Sequence, residues 1–389
     1  MKLLSLLMLI ASAAHVRSDA AAAVTQTYTM KPARIFGVKC DGVTDDTAAL
    51  QKALDRIGLH QALELPAGAC VTSQQLSLRA KHDVMIFGAG ADSSIIRATD
   101  PLHSAFVVSN SSAVSLKGFQ IYSPNSVVRS TDANSRGFYV EESNRISIDS
   151  VKVRHTAGAG ILFYVVSDSK IVNSDVVDNL SDAFHVTGAS RNILVQFNRA
   201  RGSGDDCFAS IGYGTRLNQG IRFLDNSCSG NAASGISFEG TIGGRAYRNK
   251  LSRTGVSGIR IASQRSYNTG PVRHIDLKDN VLAQVRMRGD IDHAAIMIFT
   301  SLADVDDIKL ANTTVTDPHT STCLRVRNFV PGKAALAHLA VEGLNCTSAA
   351  NQVRQCIDNA RGVSGLVARG SKLNSVPCDA HPRLLTKAG

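Results

Sequence analysis

Three aspartates in the 389-residue chain are spaced so that a repeating fold can bring them together. Asp182 lies in N-L-S-D-A-F-H-V, and Asp205 and Asp206 follow in R-G-S-G-D-D-C-F. Carboxylates crowded into one patch cannot all ionise at their ordinary pKa values, so at least one keeps its proton near neutral pH. A protonated carboxyl beside an ionised one supports general acid and general base catalysis: one donates to a leaving oxygen while the other activates water. Read alone, G-S-G-D-D is equally an ordinary turn.

For the acids to meet, the chain must return to the same place between residues 182 and 205, a separation of 23. From about Gly137 onward, short β-rich runs recur roughly every 20 to 30 residues, the period of stacked supersecondary units. Their starts include G-I-L-F-Y-V at 160, A-F-H-V at 183, C-F-A-S-I at 207, G-I-S-F at 235, G-I-R-I at 258 and A-I-M-I-F at 295. No helix-period segment of helix length separates them, which argues against leucine-rich horseshoes and helical solenoids. The expected fold is all-β, a single-stranded right-handed parallel β-helix. Asp182 and Asp205 then fall on adjacent rungs, about 5 Å apart in backbone. Asn173, Asn198, Asn226, Asn249, Asn280, Asn312 and Asn345 end successive runs and are expected to form a buried ladder at the bends.

The one clear helix spans Asp45 to Gly58, with capping aspartates and an apolar face of Ala49, Leu50, Ala53, Leu54 and Ile57. It is expected to cover the first coil, because an open solenoid end exposes apolar rungs and unpaired strand edges. A cap over about residues 31–60 and a closing segment at about 356–389 bound one β-helical domain, residues 21–389. Residues 1–20 read as an export signal, in which Lys2 precedes the short apolar run Leu3 to Ala14.

Composition narrows the class further. Apolar residues make up 44% and charged residues 19%, with 31 Gly, 9 Pro and no Trp, which excludes disorder, collagen, coiled coil and a polytopic membrane protein. Eight cysteines in an exported chain favour disulfides over metal ligands. The expected pairs include Cys40 with Cys70, and Cys356 with Cys378. A formal charge of +10 suits an anionic partner, and its scattered basic residues fit an acidic polysaccharide better than nucleic acid. The expectation is a secreted or periplasmic monomer, free of the membrane once its signal is removed.

Residues 35 to 55, I-F-G-V-K-C-D-G-V-T-D-D-T-A-A-L-Q-K-A-L-D, resemble the opening motif of the pectate-lyase-like β-helix superfamily. Residues 179 to 210 resemble the catalytic stretch of glycoside hydrolase family 28, the polygalacturonases, where N-T-D-G-F-D is followed one coil later by G-D-D-C or Q-D-D-C. Asp182 matches the first aspartate and Asp205 and Asp206 the pair. C-S-G-N-A-A-S-G-I-S at 228 to 237 is similar to the family's C-S-G-G-H-G-L-S. The resemblance implies a Cys207–Cys228 disulfide and hydrolysis without metal or cofactor. It assigns Asp205 as the acid, with Asp182 and Asp206 positioning and deprotonating water on the opposite face, giving inversion.

The departures from that pattern bear on substrate. Ser234 stands where the family has histidine. The family's R-I-K, which grips a uronate carboxylate, reads R-I-A: Arg260 remains and Ala262 replaces the lysine. His185 replaces the last aspartate of N-T-D-G-F-D, and Glu239 follows one coil beyond the acids. Arg260, His185, Ser234 and Glu239 are therefore the candidate substrate-binding residues for an acidic, pectin-like polymer. Two alternatives keep the fold. A lyase or uronate C5-epimerase would draw on Arg260, Arg245 or His185, and a non-catalytic glycan-binding protein would use Asp205 and Asp206 only as turn residues.

Overall fold

The computed structural model describes residues 27–130, 135–349, 353–359 and 363–378. The expected export signal and residues 379–389 of the closing segment lie outside them. The described chain winds into a right-handed parallel β-helix whose strands build three faces. On the front face the register runs Phe138, Ile161, Phe184, Phe208, Ile236, Ile259, Ile296, one residue per coil. The second face carries Ser147, Lys170, Leu194, Arg222, Arg245. The third carries Lys152, Asp175, Arg199, Ser227, Lys250. No described helix is long and apolar enough to cross a membrane.

Alternation along each short strand explains the core. Phe184 and Val186 point inward and are fully buried, while His185 between them faces out. Rung on rung, inward phenylalanines stack: the Phe184 and Phe208 rings lie 5.1 Å apart and nearly parallel, and the contacts continue through Phe223 to Phe238. Each buried ring contributes about 1.5–3 kcal/mol relative to exposure, and together these rings floor the front face beneath the acids.

The opening helix spans Thr47–Arg56. Asp45 Oδ1 accepts the Thr47 N–H at 2.9 Å, whereas Asp46 turns back and accepts the N–H groups of Lys39 and Cys40 at 2.7 and 2.8 Å. Leu50, Ala53 and Leu54 are buried. The Gln51 amide exchanges two hydrogen bonds with the backbone of Ser77, at 2.8 and 2.9 Å, standing in for a neighbouring strand at the edge of Leu76–Arg79. Disulfides join Cys40 to Cys70, Cys207 to Cys228, Cys323 to Cys346 and Cys356 to Cys378.

The asparagine ladder is shorter than its expectation. Asn198, Asn226, Asn249 and Asn280 stack on successive coils, each side-chain oxygen accepting the backbone N–H of the ladder residue one coil earlier, at 2.9 to 3.0 Å. Each amide also donates to a strand carbonyl. Asn173 and Asn312 fall one residue too early: they take the left-handed conformation, with φ of 52° and 48°, and Ser174 and buried Thr313 follow them. Asparagine tolerates that conformation well, so the same residue type serves two adjacent corner positions. Asn345 is exposed on a third-face strand.

Candidate active site

The acids sit at the corner where the chain turns onto the front face. Gly160 N–H donates to the Asp182 carbonyl and Ala183 N–H to the Asp206 carbonyl, so Asp182 and Asp206 are equivalent residues of successive coils. Asp205, expected opposite Asp182, instead pairs its N–H with Ser181. The offset arises because the acids lie in the turn, before strand register begins. Two buried asparagines shape these turns: Asn179 donates to the carbonyls of Ser181 and Asp182 at 2.7 Å, and Asn231 to those of Asp205 and Ser234 at 2.9 and 2.8 Å. Gly204 fits because a Cβ there would lie 2.4 Å from the Leu180 carbonyl oxygen.

One oxygen each of Asp182, Asp205 and Asp206 lies within 4.8 Å of the others. Asp182 Oδ1 accepts the Asp206 N–H at 3.0 Å and its Oδ2 contacts His185 Nδ1 at 2.6 Å. Asp206 Oδ1 accepts the Ser234 N–H at 2.7 Å, and its Oδ2 pairs with Arg260 at 3.0 Å. Asp205 Oδ2 pairs with Arg129 at 2.5 Å. Side-chain exposure separates their roles: 30% for Asp205, 12% for Asp182 and 3% for Asp206. Asp205 alone of the three presents substantial surface to a substrate.

Burial pushes Asp205 and Asp206 up. Asp206 is raised to about 7, chiefly by desolvation and further by its carboxylate neighbours, against the pull of Arg260. Asp205 is raised by burial and by Asp182, with Arg129 opposing. Asp205 and Asp206 therefore hold a proton between them into the neutral range. The same three carboxylates form a donor set that a divalent ion can use, although each already has a protein partner in Arg129, Arg260 or His185.

The expected substrate-binding residues divide. His185 lines the front face, and its Nε2 is buried without a partner. Ser234 and Glu239 are buried at 0% and 1% exposure; the Ser234 hydroxyl has no partner, and Glu239 pairs with Arg260. Arg260 bridges Asp206 and Glu239, both at 3.0 Å, and Gln264 holds Glu239 at 2.6 Å. Both contacts use its Nη2, and its Nε–H is buried without a partner. Arg245 lies on the second face, away from the acid corner.

The sequence reading missed Arg129 and Tyr213. Arg129 belongs to an inserted loop: Phe106 and Phe138 pair across 32 residues, whereas Phe138 and Ile161 pair across 23. That long step was the only available signal. Tyr213 is half-exposed on a loop joined to residues 268–270 by the hydrogen bonds Gly214 N–H to Asn268 O and Gly270 N–H to Gly212 O. Burial and the field of the four nearby acids push its hydroxyl up to about 12.

Solved structures with this winding include a family 87 α-1,3-glucanase from Streptomyces thermodiastaticus, at TM-score 0.72 and 18% identity over 93% of this chain and 71% of that one. An exopolygalacturonase from Thermotoga maritima aligns at TM-score 0.69 and 12% identity, over 90% of this chain and 95% of that one. The A-module of a mannuronan C-5 epimerase from Azotobacter vinelandii aligns at 0.60 and 15%, over 88% and 98%. No curated protein matches the chain. The family model for rhamnogalacturonase A/epimerase, pectate lyase-like proteins matches residues 33–265. With the coil, the opening helix and more than half of the sequence in agreement, the chain belongs to the rhamnogalacturonase A/epimerase, pectate lyase-like family.

Proposed function

We propose that this protein is an exported glycoside hydrolase, acting as a single-domain monomer on an acidic polysaccharide. The observation that carries the reading is the unequal exposure of three clustered carboxylates, two of which, Asp205 and Asp206, are held above the ordinary carboxylate range. Asp205 delivers a proton to the glycosidic oxygen as the bond from that oxygen to the anomeric carbon breaks. Water, oriented by Asp182 and Asp206, attacks the same carbon and leaves its proton on the pair. His185 holds Asp182 through Nδ1, and its unpartnered Nε2 is available to a sugar hydroxyl. Variants of a family 87 glucanase with one or the other of two adjacent aspartates replaced by alanine have been captured with tetrasaccharides, which fits a paired-aspartate centre here.

Arg260 Nη2 is shared by two acids, and apolar Ala262 adds no second cation to that strand. The test is a screen of the purified protein on pectic polymers, alginate and α-1,3-glucan, following reducing ends and ultraviolet absorbance together. The reading expects new reducing ends without an unsaturated chromophore. Absorbance from an unsaturated product would assign a lyase, and altered sugar composition with no new ends would assign an epimerase.

A further inference from the structure

The second face of the coil carries cations that the acid corner does not use. Lys170, Arg222 and Arg245 stand in one outward column, interrupted only by Leu194. Arg222 and Arg245 are direct neighbours, on rungs about 4.8 Å apart. Arg191 lies at the start of the Leu194 strand, and Arg145 at the corner two coils before it. Among the described residues none of these five has an acidic ion-pair partner, whereas other arginines of this face do: Arg248 pairs with Asp225 and Arg273 with Asp304. Asp276 follows Arg245 on the next rung, but from Lys170 to Arg245 the column holds three cations and no acid; like charges stacked in this way cost stability, so a face that keeps them is suited to a ligand that neutralises them.

The shape of the face matches that charge. The corner between the front and second faces is held in the left-handed conformation on successive coils by Arg145, Asp168, Asn192, Gly220 and Gly243. Glycine at the last two leaves the corner without side chains. Beside them lies a depression of about 260 Å³ lined by Arg145, Lys170, Asn192 and Arg222. Its one acid, Asp168, accepts a hydrogen bond from the Asn192 amide at 2.8 Å, and Asn192 Oδ1 in turn accepts from Arg222 at 3.0 Å. The Arg222 Nε–H is buried with no partner, a donor that a carboxylate in the depression can satisfy.

We propose that this trough is a second glycan site, which holds a uronate-bearing polysaccharide along the coil axis by its carboxylates. The site is separate from the acid corner and does not depend on the hydrolase reading. It places recognition of negative charge on a different face from the acid corner, where Arg260 Nη2 is already shared by Asp206 and Glu239.

The test measures binding of oligogalacturonate and of neutral dextran oligomers by calorimetry, in the Asp205→Asn background so that no substrate is consumed. Oligogalacturonate should bind with an affinity that falls as salt rises, and dextran should not bind at this face. Replacing Arg145, Lys170, Arg222 and Arg245 together by glutamine should weaken uronate binding by about tenfold or more. A matched variant that removes Arg97, Arg199, Lys250 and Arg253 elsewhere on the coil should leave it within about twofold. Equal losses in the two variants, no loss in the first, or no uronate binding at all would overturn the proposal. Each of those results leaves the hydrolase reading standing, because reducing-end release by the unmodified chain is measured separately.

Discussion

Asp182 and Asp206 occupy the same corner of successive coils, and the Oδ1 of the first accepts the backbone N–H of the second at 3.0 Å. The hydrogen bond repeats one coil later, where Asp206 Oδ1 accepts the N–H of Ser234. The acid pair is thus part of the winding itself. Any change that shifts one coil against the next moves the proposed water-activating groups with it.

That arrangement sets the stereochemistry. Carboxyl groups of inverting glycosidases commonly stand about 6.5–9.5 Å apart, farther than the approach seen here. Yet both oxygens of Asp182 and of Asp206 are already hydrogen-bonded, and the side chains are recessed. In the proposed hydrolysis these recessed groups act on the sugar through water. Proton NMR of the first-formed product should show the inverted anomer; a retained anomer would make one of these aspartates a nucleophile.

The pH dependence follows from the raised acids. Catalysis needs the proton on Asp205, which burial and Asp182 hold on the carboxyl above the ordinary carboxylate range, so kcat/KM should fall as pH rises beyond that range. Arg129 holds Asp205 down, so Arg129→Gln should move this alkaline limb to higher pH in a kcat/KM profile. Stability has the same sign. A carboxyl whose folded pKa lies above its unfolded value binds its proton more tightly in the native state. The contribution of Asp205 and Asp206 to stability is therefore fully present below the ordinary carboxylate range and is lost as pH rises toward 7. A limb that stays in place in Arg129→Gln would remove Asp205 from the titrating group.

His185 should act through Asp182. His185→Ala is expected to lower kcat by about 10²-fold, within the range for disturbed acid–base groups. His185→Asn, whose amide can still donate to Asp182, should recover part of the loss. Rescue separates a positioning role from a purely structural one, which thermal melting alone would not do.

The ladder gives a prediction about stability alone. Asn249 is fully buried; its oxygen accepts the Asn226 N–H and its amide donates to the Phe223 carbonyl. Asn249→Ala strands those two groups and should cost about 2–6 kcal/mol, at roughly 1–3 for each unsatisfied buried group. Chemical denaturation checks this, and an unchanged midpoint would show that the ladder is dispensable.

The coil was legible in the sequence because its signal is local and repeated: small residue, alternating apolar strand, polar bend. The opening helix was equally plain. What depended on the corners was not. Asp182 aligns with Asp206 and not Asp205, because a turn of unknown length precedes each strand. Asn173 and Asn312 were misplaced by one residue for a similar reason, since two neighbouring corner positions both favour asparagine. Arg129 lies 76 residues before its partner on an inserted loop, beyond what periodicity can register. The burial of Ser234 and Glu239, and the capture of Arg260 between two acids, emerge only when neighbouring coils are stacked.

The most direct test of the central claim is the rate of reducing-end release by the unmodified chain and by Asp205→Asn, on whichever glycan the screen identifies. Circular dichroism melts would confirm that both are folded. The proton-donor role predicts a loss of about 10²–10⁴-fold in kcat with the melting curve retained. Turnover by a folded Asp205→Asn at the unmodified rate would contradict it.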